Sequence, residues 1–295
     1  MRLLITGITG SFGHSFLAHV EAHSTWDIIG VARNEGRLEH LAESGTKAAL
    51  LPRDITDWTQ LQELRCDAIV HAAALKRVGS SHENPEEYAR VNVGGTANVC
   101  RLTRQNGAKL LFISSDKAVM AHNCYGATKR VGEVMALNSG GSVVRGGNVW
   151  QSDGSVSQKF AAAVLAGHSA IIHDPKATRF HLPMPYWVSF VFGCLLQMQG
   201  HEIFAPKLSA YEMGDLAHSF RKVHGLNIIN GIRQANDKRH EYLVSPVEAP
   251  LTVDMGSGYV QGGDWEGVSV PEKGISSKTA RRMMVTELMD LVRQL

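Results

Sequence analysis

The sequence predicts an α/β fold: a doubly wound parallel sheet carrying a smaller C-terminal lobe. Three observations lead there. Short apolar runs alternate with helix-patterned segments through the first half of the chain, which implies parallel strands joined by right-handed crossovers. A glycine-spaced turn joins the first apolar run to the first helix pattern. From about residue 150 the alternation becomes irregular and richer in Gly, Pro and His. That suits a lobe laid over the C-terminal edge of the sheet, where open α/β folds bind ligands.

The elements follow in order. Strands are expected at 2–6, 26–32, 47–51, 67–71, 108–113 and 141–145, and helices at 12–23, 35–44, 57–63, 84–105 and 123–138. Arg2 to Ile5 is a short apolar run suited to a buried strand. Asn84-Pro85-Glu86-Glu87 reads as a helix start, with a capping Asn, Pro in the first turn and acids facing the dipole. Tyr186 to Met198 is apolar but well short of the roughly 20 residues a bilayer span needs, so a buried helix is expected. A helix near 213–223 and a strand at 226–229 are expected to return to the sheet, and Glu287 to Leu295 to end the chain as an amphipathic helix. The nucleotide-binding unit is therefore placed at 1–150 plus about 209–230, and the lobe at 151–208 and 231–295.

The first turn carries chemistry. Gly7, Gly10 and Gly13 within Thr6-Gly7-Ile8-Thr9-Gly10-Ser11-Phe12-Gly13 have the spacing of a dinucleotide-binding, Rossmann-type turn. Glycines let backbone approach a pyrophosphate and let helix pack closely on strand, while helix N-terminal amides hold the phosphates. Gly7, Thr9, Gly10, Ser11, Phe12 and Gly13 are thus the expected cradle. An ordinary Gly-rich turn has the same spacing; the strand before and helix after favour the nucleotide. At the end of the second strand Arg33 stands where NAD enzymes place an acid, with Arg37 one turn on. An Arg there accommodates a 2′-phosphate, so NADP is expected in preference to NAD. A solvated loop charge is the other reading of Arg33.

Composition fits a cytosolic enzyme. The 295 residues, 44% hydrophobic and 20% charged, are enough for a large core and one or two domains. A net charge of +2 gives no warrant for a nucleic-acid or membrane partner. The 4 cysteines lack metal-ligand spacing, and beyond the single His19-x-x-x-His23 spacing the 14 histidines are scattered, so no metal site is expected.

The most informative stretch is Ser115-Asp116-Lys117 followed by Tyr125-Gly126-Ala127-Thr128-Lys129. Tyr125 and Lys129 share a helix face, where the ammonium is expected to lower the phenol's pKa and make a usable base. Asp116 and Lys117 add a second acid–base pair, more than alcohol oxidation needs. A solvated loop ion pair is the bland alternative.

With these motifs the chain resembles the extended short-chain dehydrogenase/reductases. More narrowly, it is similar to the soluble 5-inverting UDP-N-acetylglucosamine 4,6-dehydratases of bacterial surface-polysaccharide and pseudaminic-acid pathways. The matches run nearly end to end. They include the Ser11-Phe12 pair of the turn, Arg53 to Asp57, His71 to Lys76, Glu83 to Pro85, Asn92 to Asn98 and Ser114 to Lys129. Further matches are Arg145 to Val149, Ser155-Val156, Thr178 to Phe180, Glu202 to Lys207 and Gly231 to Arg233. Departures are Ile8 for Gly, Met120-Ala121 for Asn-Pro, His181 for Trp, a shorter loop at 138–142, and one extra residue within Gln234–Arg239.

The resemblance implies cofactor contacts from Asp54 and Ile55 at adenine, from Ala72, Ala73, Ala74 and Lys76 along the cofactor, and from Asn92, Tyr125 and Lys129. It implies sugar-nucleotide contacts from Lys76, Asn148, Ser155, Val156, Arg179, Lys207, Arg233 and Glu241. Ser115, Asp116, Lys117, Tyr125 and Lys129 would be catalytic, and Asp-Lys rather than Asp-Glu would select the N-acetylglucosamine type. In that chemistry Tyr125 removes the 4-hydroxyl proton, a neutral Lys117 the C5 proton, and a protonated Asp116 assists loss of the 6-hydroxyl. The family also implies a homo-oligomer, a dimer or higher, built through helices 84–105 and 123–138. A sugar-nucleotide epimerase or reductase on the same fold remains open, as does a non-catalytic NADP-binding regulator.

Overall fold

The computed structural model describes residues 1–233 and 236–295. Six parallel strands form its centre: β1 (Arg2–Thr6), β2 (Asp27–Ala32), β3 (Ala49–Pro52), β4 (Ala68–His71), β5 (Lys109–Ser115) and β6 (Ser142–Gly146). They lie in the order β6-β5-β4-β1-β2-β3, with order reversing beside β1, the kind of switch point at which open α/β sheets bind ligands outside the strands' carboxyl ends. Helices α1 (Ser11–His23) and α2 (Glu35–Glu43) cross over first. Next come α3 (Val78–Glu83), α4 (Pro85–Tyr88), a π-helical stretch (Ala89–Gly94), α5 (Gly95–Asn106) and α6 (Cys124–Asn138). These placements match the sequence reading of the first half in strand count and approximate position.

Three expectations are corrected. The helix at 57–63 is only a 3-10 turn at Trp58–Gln60, because the Asp57 carboxylate bonds Thr59 and Gln60 locally and offers the backbone an alternative to helix. The helix at 84–105 is preceded by α3 and widens into the π-helical stretch, and Asn84 makes no side-chain cap. The strand expected at 226–229 does not return to the large sheet.

That sheet grows instead through β10 (Ile203–Pro206), which pairs parallel to β6. The strands β14 (Thr252–Asp254), β15 (Gly258–Gln261) and β16 (Val268–Ser269) extend it antiparallel to ten strands. With that edge occupied, β12 (Ile228–Asn230) pairs with β8 (Ala170–Ile172). Around them α7 (Val156–Leu165), α9 (Met213–His224) and α10 (Val285–Arg293) bury Phe160, Phe220, Leu216 and Leu288 in a core of their own. A second small sheet, β11 (Ser209–Glu212), β9 (Thr178–Leu182) and β7 (Asn148–Val149), bridges the two regions. The last pair is β13 (Tyr242–Val244) with β17 (Ile275–Ser276).

The expected buried helix is α8 (Met184–Gln197), packed on α1. Its Trp187 is 2% exposed and lies 5.9 Å from Phe12, which stacks on Phe16 at 5.2 Å. This seats the glycine turn from beneath. Among the described residues no helix is long and apolar enough to cross a membrane. Trp187→Ala should cost about 3–5 kcal/mol through lost burial and a residual cavity, read as a lowered urea midpoint.

Candidate active site

Gly7 has φ +72, which side-chain-bearing residues rarely adopt, and a Cβ there would lie 2.8 Å from the Ala73 backbone. The β1–α1 turn and the exit of β4 therefore touch through bare backbone. Beneath them Thr6 Oγ1 lies 2.6 Å from His71 Nδ1, and His71 Nε2 lies 3.0 Å from Thr96 Oγ1. Burial drives the His71 pKa down to about 3, so the ring is a neutral strut that links β1, β4 and α5. The first turn of α1 carries no acid, leaving its amides free of a competing carboxylate. Such a cradle of close backbone and helix N-terminus fits a dinucleotide pyrophosphate.

Ser11 Oγ accepts from the Asp153 amide at 3.0 Å. Arg33 and Arg37 are exposed, and Arg33 lies 3.9 Å from Asp54 and 3.8 Å from Glu87. Ile55 is buried against the helix of Asn92, whose Oδ1 accepts from the Leu75 amide while its Nδ2 donates to Thr128. This bond tethers the segment after Ala72–Ala74 to α6; Lys76 beyond it is exposed. Ser155 caps α7, accepting from the Gln158 amide, and Val156 is the helix's first residue.

The acid–base residues converge at the end of β5. Asp116 is fully buried; its Oδ1 accepts from Lys117 Nζ at 3.1 Å and from Ser115 Oγ at 3.0 Å, while Oδ2 has no hydrogen-bond partner. Lys117 Nζ also donates to Asn148 Oδ1 at 3.1 Å and lies 3.7 Å from Glu241 Oε1. Glu241 pairs with Lys238 at 2.8 Å, and Arg179, buried on β9, adds charge nearby and pairs with Asp237 at 2.8 Å. This is a buried cluster, not the solvated loop pair of the bland alternative.

Its electrostatics correct two expectations. Burial raises the Asp116 pKa, with Lys117 opposing, as an acid that keeps its proton requires. For Lys117, burial disfavours the ammonium, but Asp116 and Glu241 outweigh it and hold the pKa above the ordinary lysine value. The neutral Lys117 expected from sequence is therefore not the favoured form here, because two carboxylates face it rather than one. Burial likewise raises the Tyr125 pKa, and the leading groups pulling it down are Lys117 and Ser115. Lys129 sits instead 4.0 Å over the Phe112 ring, its pKa lowered by burial to about 7 against the pull of Glu133. Lys117, not Lys129, is the cation acting on the phenol.

Two expected substrate residues pair elsewhere. Lys207 bonds Asp254 at 2.7 Å and lines a cavity of about 490 Å³ with Lys273 and Arg281, and exposed Arg233 lies 3.4 Å from Asp174. The extra residue expected within Gln234–Arg239 falls partly outside the described residues. Sequence reading gave His71 no role of its own and missed Lys238 and Tyr211. Tyr211 is buried directly across β9 from Arg179, and its pKa rises to about 12 through burial, with Arg179 and Lys117 opposing. Lys238 was legible only as a partner three residues before Glu241. Among the described residues no group of three or more His, Cys, Asp or Glu suited to a metal ion occurs.

Residues 3–261 match the family described as polysaccharide biosynthesis protein. The chain belongs to that family. It is 34% identical over 274 residues to the UDP-N-acetylglucosamine 4,6-dehydratase (inverting) of Campylobacter jejuni serotype O:2, covering 88% of this chain and 81% of that protein. It is 30% identical over 279 residues to the UDP-glucose 4-epimerase of Rickettsia canadensis, covering 87% and 81%. In fold it is similar to Pen from Bacillus thuringiensis, at a TM-score of 0.93 and 23% identity over 99% of this chain and 97% of that one. The fold is that of the extended short-chain dehydrogenase/reductases.

Glu241 ties stability to pH. Lysines 117 and 238 hold its pKa at about 2 against the effect of burial, below the ordinary 4.5. A depressed carboxylate contributes stability that is present above its unfolded value and lost as pH falls towards the folded one. Stability should thus decline from about pH 4.5 towards pH 2, and Glu241→Gln should show a smaller decline in urea midpoints over that range.

Proposed function

We propose that the chain is an NADP-dependent dehydratase that converts UDP-N-acetylglucosamine to a UDP-2-acetamido-2,6-dideoxy-4-keto-hexose with inversion at C5. The observation that carries this reading is the buried Asp116–Lys117 contact with one Asp116 oxygen unpartnered. An alcohol oxidation or a 4-epimerisation has no use for a second acid and base beside Ser115 and Tyr125. The Campylobacter relative's name supports both the sugar and the inversion.

A nicotinamide dinucleotide, its pyrophosphate held by the glycine turn, would supply the oxidant for C4 and return the same hydride to C6. The remaining steps belong to side chains. Tyr125 takes the 4-hydroxyl proton as the phenolate, the form that the cationic Lys117 and the Ser115 hydroxyl favour against burial, while Ser115 orients the same oxygen. A C4 ketone acidifies the neighbouring C5–H. Lys117 and Asp116 then need one proton between them, on the acid.

The ion pair seen here differs from that working form by moving one proton across a 3.1 Å hydrogen bond. No exchange with solvent is required. Two groups coupled this tightly titrate as a pair, so the arrangement sustains a neutral amine and a neutral acid at the same total charge. Lys117 takes the C5 proton, and Asp116 donates to the departing 6-hydroxyl through its unpartnered side. Arg179 and Asn148 border this point and suit the diphosphate and the sugar respectively.

Incubation with UDP-N-acetylglucosamine in heavy water tests the reading. A product lighter by one water with deuterium at C5 is expected; unchanged mass would mean an epimerase, and net consumption of NADPH a reductase. Lys117→Ala should lower water loss by at least about 10³-fold while NADP affinity stays within about twofold, measured by product mass and by titration; retained dehydration would remove the base. Arg33→Ala should weaken NADP binding about tenfold or more and NAD binding little, read by parallel titrations.

A further inference from the structure

We infer that Lys238 is a positioning residue for the acid–base loop, fastening its backbone and sharing the Glu241 carboxylate with Lys117. This role presupposes the dehydratase reading above. Lys238 Nζ donates to the carbonyl of Val119 at 2.8 Å and of Asp116 at 3.2 Å, and lies 2.8 Å from Glu241 Oε2. Two of the ammonium's donors are thus spent on backbone carbonyls, and its charge stands in ion-pair contact with Glu241. The two carbonyls bracket Lys117, one immediately before it and one two residues after. Just beyond them Met120 adopts φ 48, an uncommon conformation for a non-glycine residue, so the loop turns sharply where Lys238 pins it.

The second half of the role is electrostatic. Lys117 is faced by Asp116 of its own loop, Glu241, Arg179 of β9, Tyr125 of α6 and Tyr211 of β11, with neutral Asn148 of β7 hydrogen-bonded to it. Glu241 stands 3.7 Å from Lys117 and 2.8 Å from Lys238. While Lys238 is present the carboxylate answers a second ammonium. Without it, the charge would act on Lys117 and Arg179 alone and hold the proton on Lys117. The Asp116–Lys117 pair would then shed its extra proton, and reach the total charge that dehydration needs, only at higher pH.

The test follows dehydration of UDP-N-acetylglucosamine against pH, with NADP affinity measured alongside. Lys238→Met should lower kcat at neutral pH by about 30-fold or more, keep NADP affinity within about twofold, and move the acidic limb of the kcat profile up by about one pH unit. Lys238→Arg keeps the charge and should return the limb to its wild-type position. Glu241→Gln, with Lys238 intact, should move the limb the other way, which reads the same coupling even if Lys238→Met does not fold. A fall in kcat with unmoved limbs in both single variants would mean ordinary packing and overturn the role, as would wild-type kcat in Lys238→Met. If the wild-type chain removes no water, the dehydratase reading fails and this role with it; normal wild-type dehydration beside unshifted variants sinks Lys238 alone.

Discussion

Two carboxylates and three cations, Asp116, Glu241, Lys117, Lys238 and Arg179, are packed at one edge of the sheet with little access to water. Taking any one of these charges out of water alone costs several kcal/mol, so each persists only because another stands beside it. Much of the surrounding architecture serves that mutual dependence. The end of β5 presents Asp116 and Lys117, β7 brings Asn148, β9 brings Arg179, and the segment ahead of β13 brings Lys238 and Glu241. Backbone from four places in the chain converges on a volume that no single element could build.

The same closeness shapes the helix carrying Tyr125. A Cβ at Gly126 would lie 2.2 Å from the Lys117 carbonyl oxygen, so α6 rests directly on the loop. Asn123 caps that helix by accepting from the Gly126 amide at 2.8 Å, and Ser81 accepts from the Tyr125 amide at 3.2 Å. The phenol and the Asp116–Lys117 pair are thus located by backbone contacts, which are stiffer than side-chain ones. Glu133 and Arg145, buried and bonded to each other, tie the far half of α6 to β6 in the same way.

The first half of the fold was legible because each strand and helix there has local signals that agree with its place: apolar runs, the glycine turn, and helix patterns between them. The segment 57–63 was misread because its polar side chains satisfy the backbone locally, which periodicity does not reveal. The later strands were misread for another reason. The run at 203–206 and the run at 226–229 are both short and apolar, and which one reaches β6 is decided by long-range pairing. In the site, Asp116, Lys117, Asn148, Arg179 and Glu241 meet as the motifs implied. Their protonation was less legible, since Glu241 lies over a hundred residues away from Lys117 and only folding shows that two carboxylates face one amine. Lys238 sits in a charged run that reads as a solvated surface, yet it is buried.

The antiparallel extension of the large sheet has a consequence for how the molecule holds together. Strands from residues 203–206 and 252–269 complete the sheet begun by residues 2–6, so the amino- and carboxy-terminal halves share one hydrogen-bonded ladder. A cut near residue 150 would expose the unpaired edge of β6 on one fragment and strand the last four sheet members on the other. Neither piece would keep a closed core. The chain should therefore melt in one cooperative step rather than in two, and admit its ligands by movement of loops rather than by swinging two bodies about a hinge.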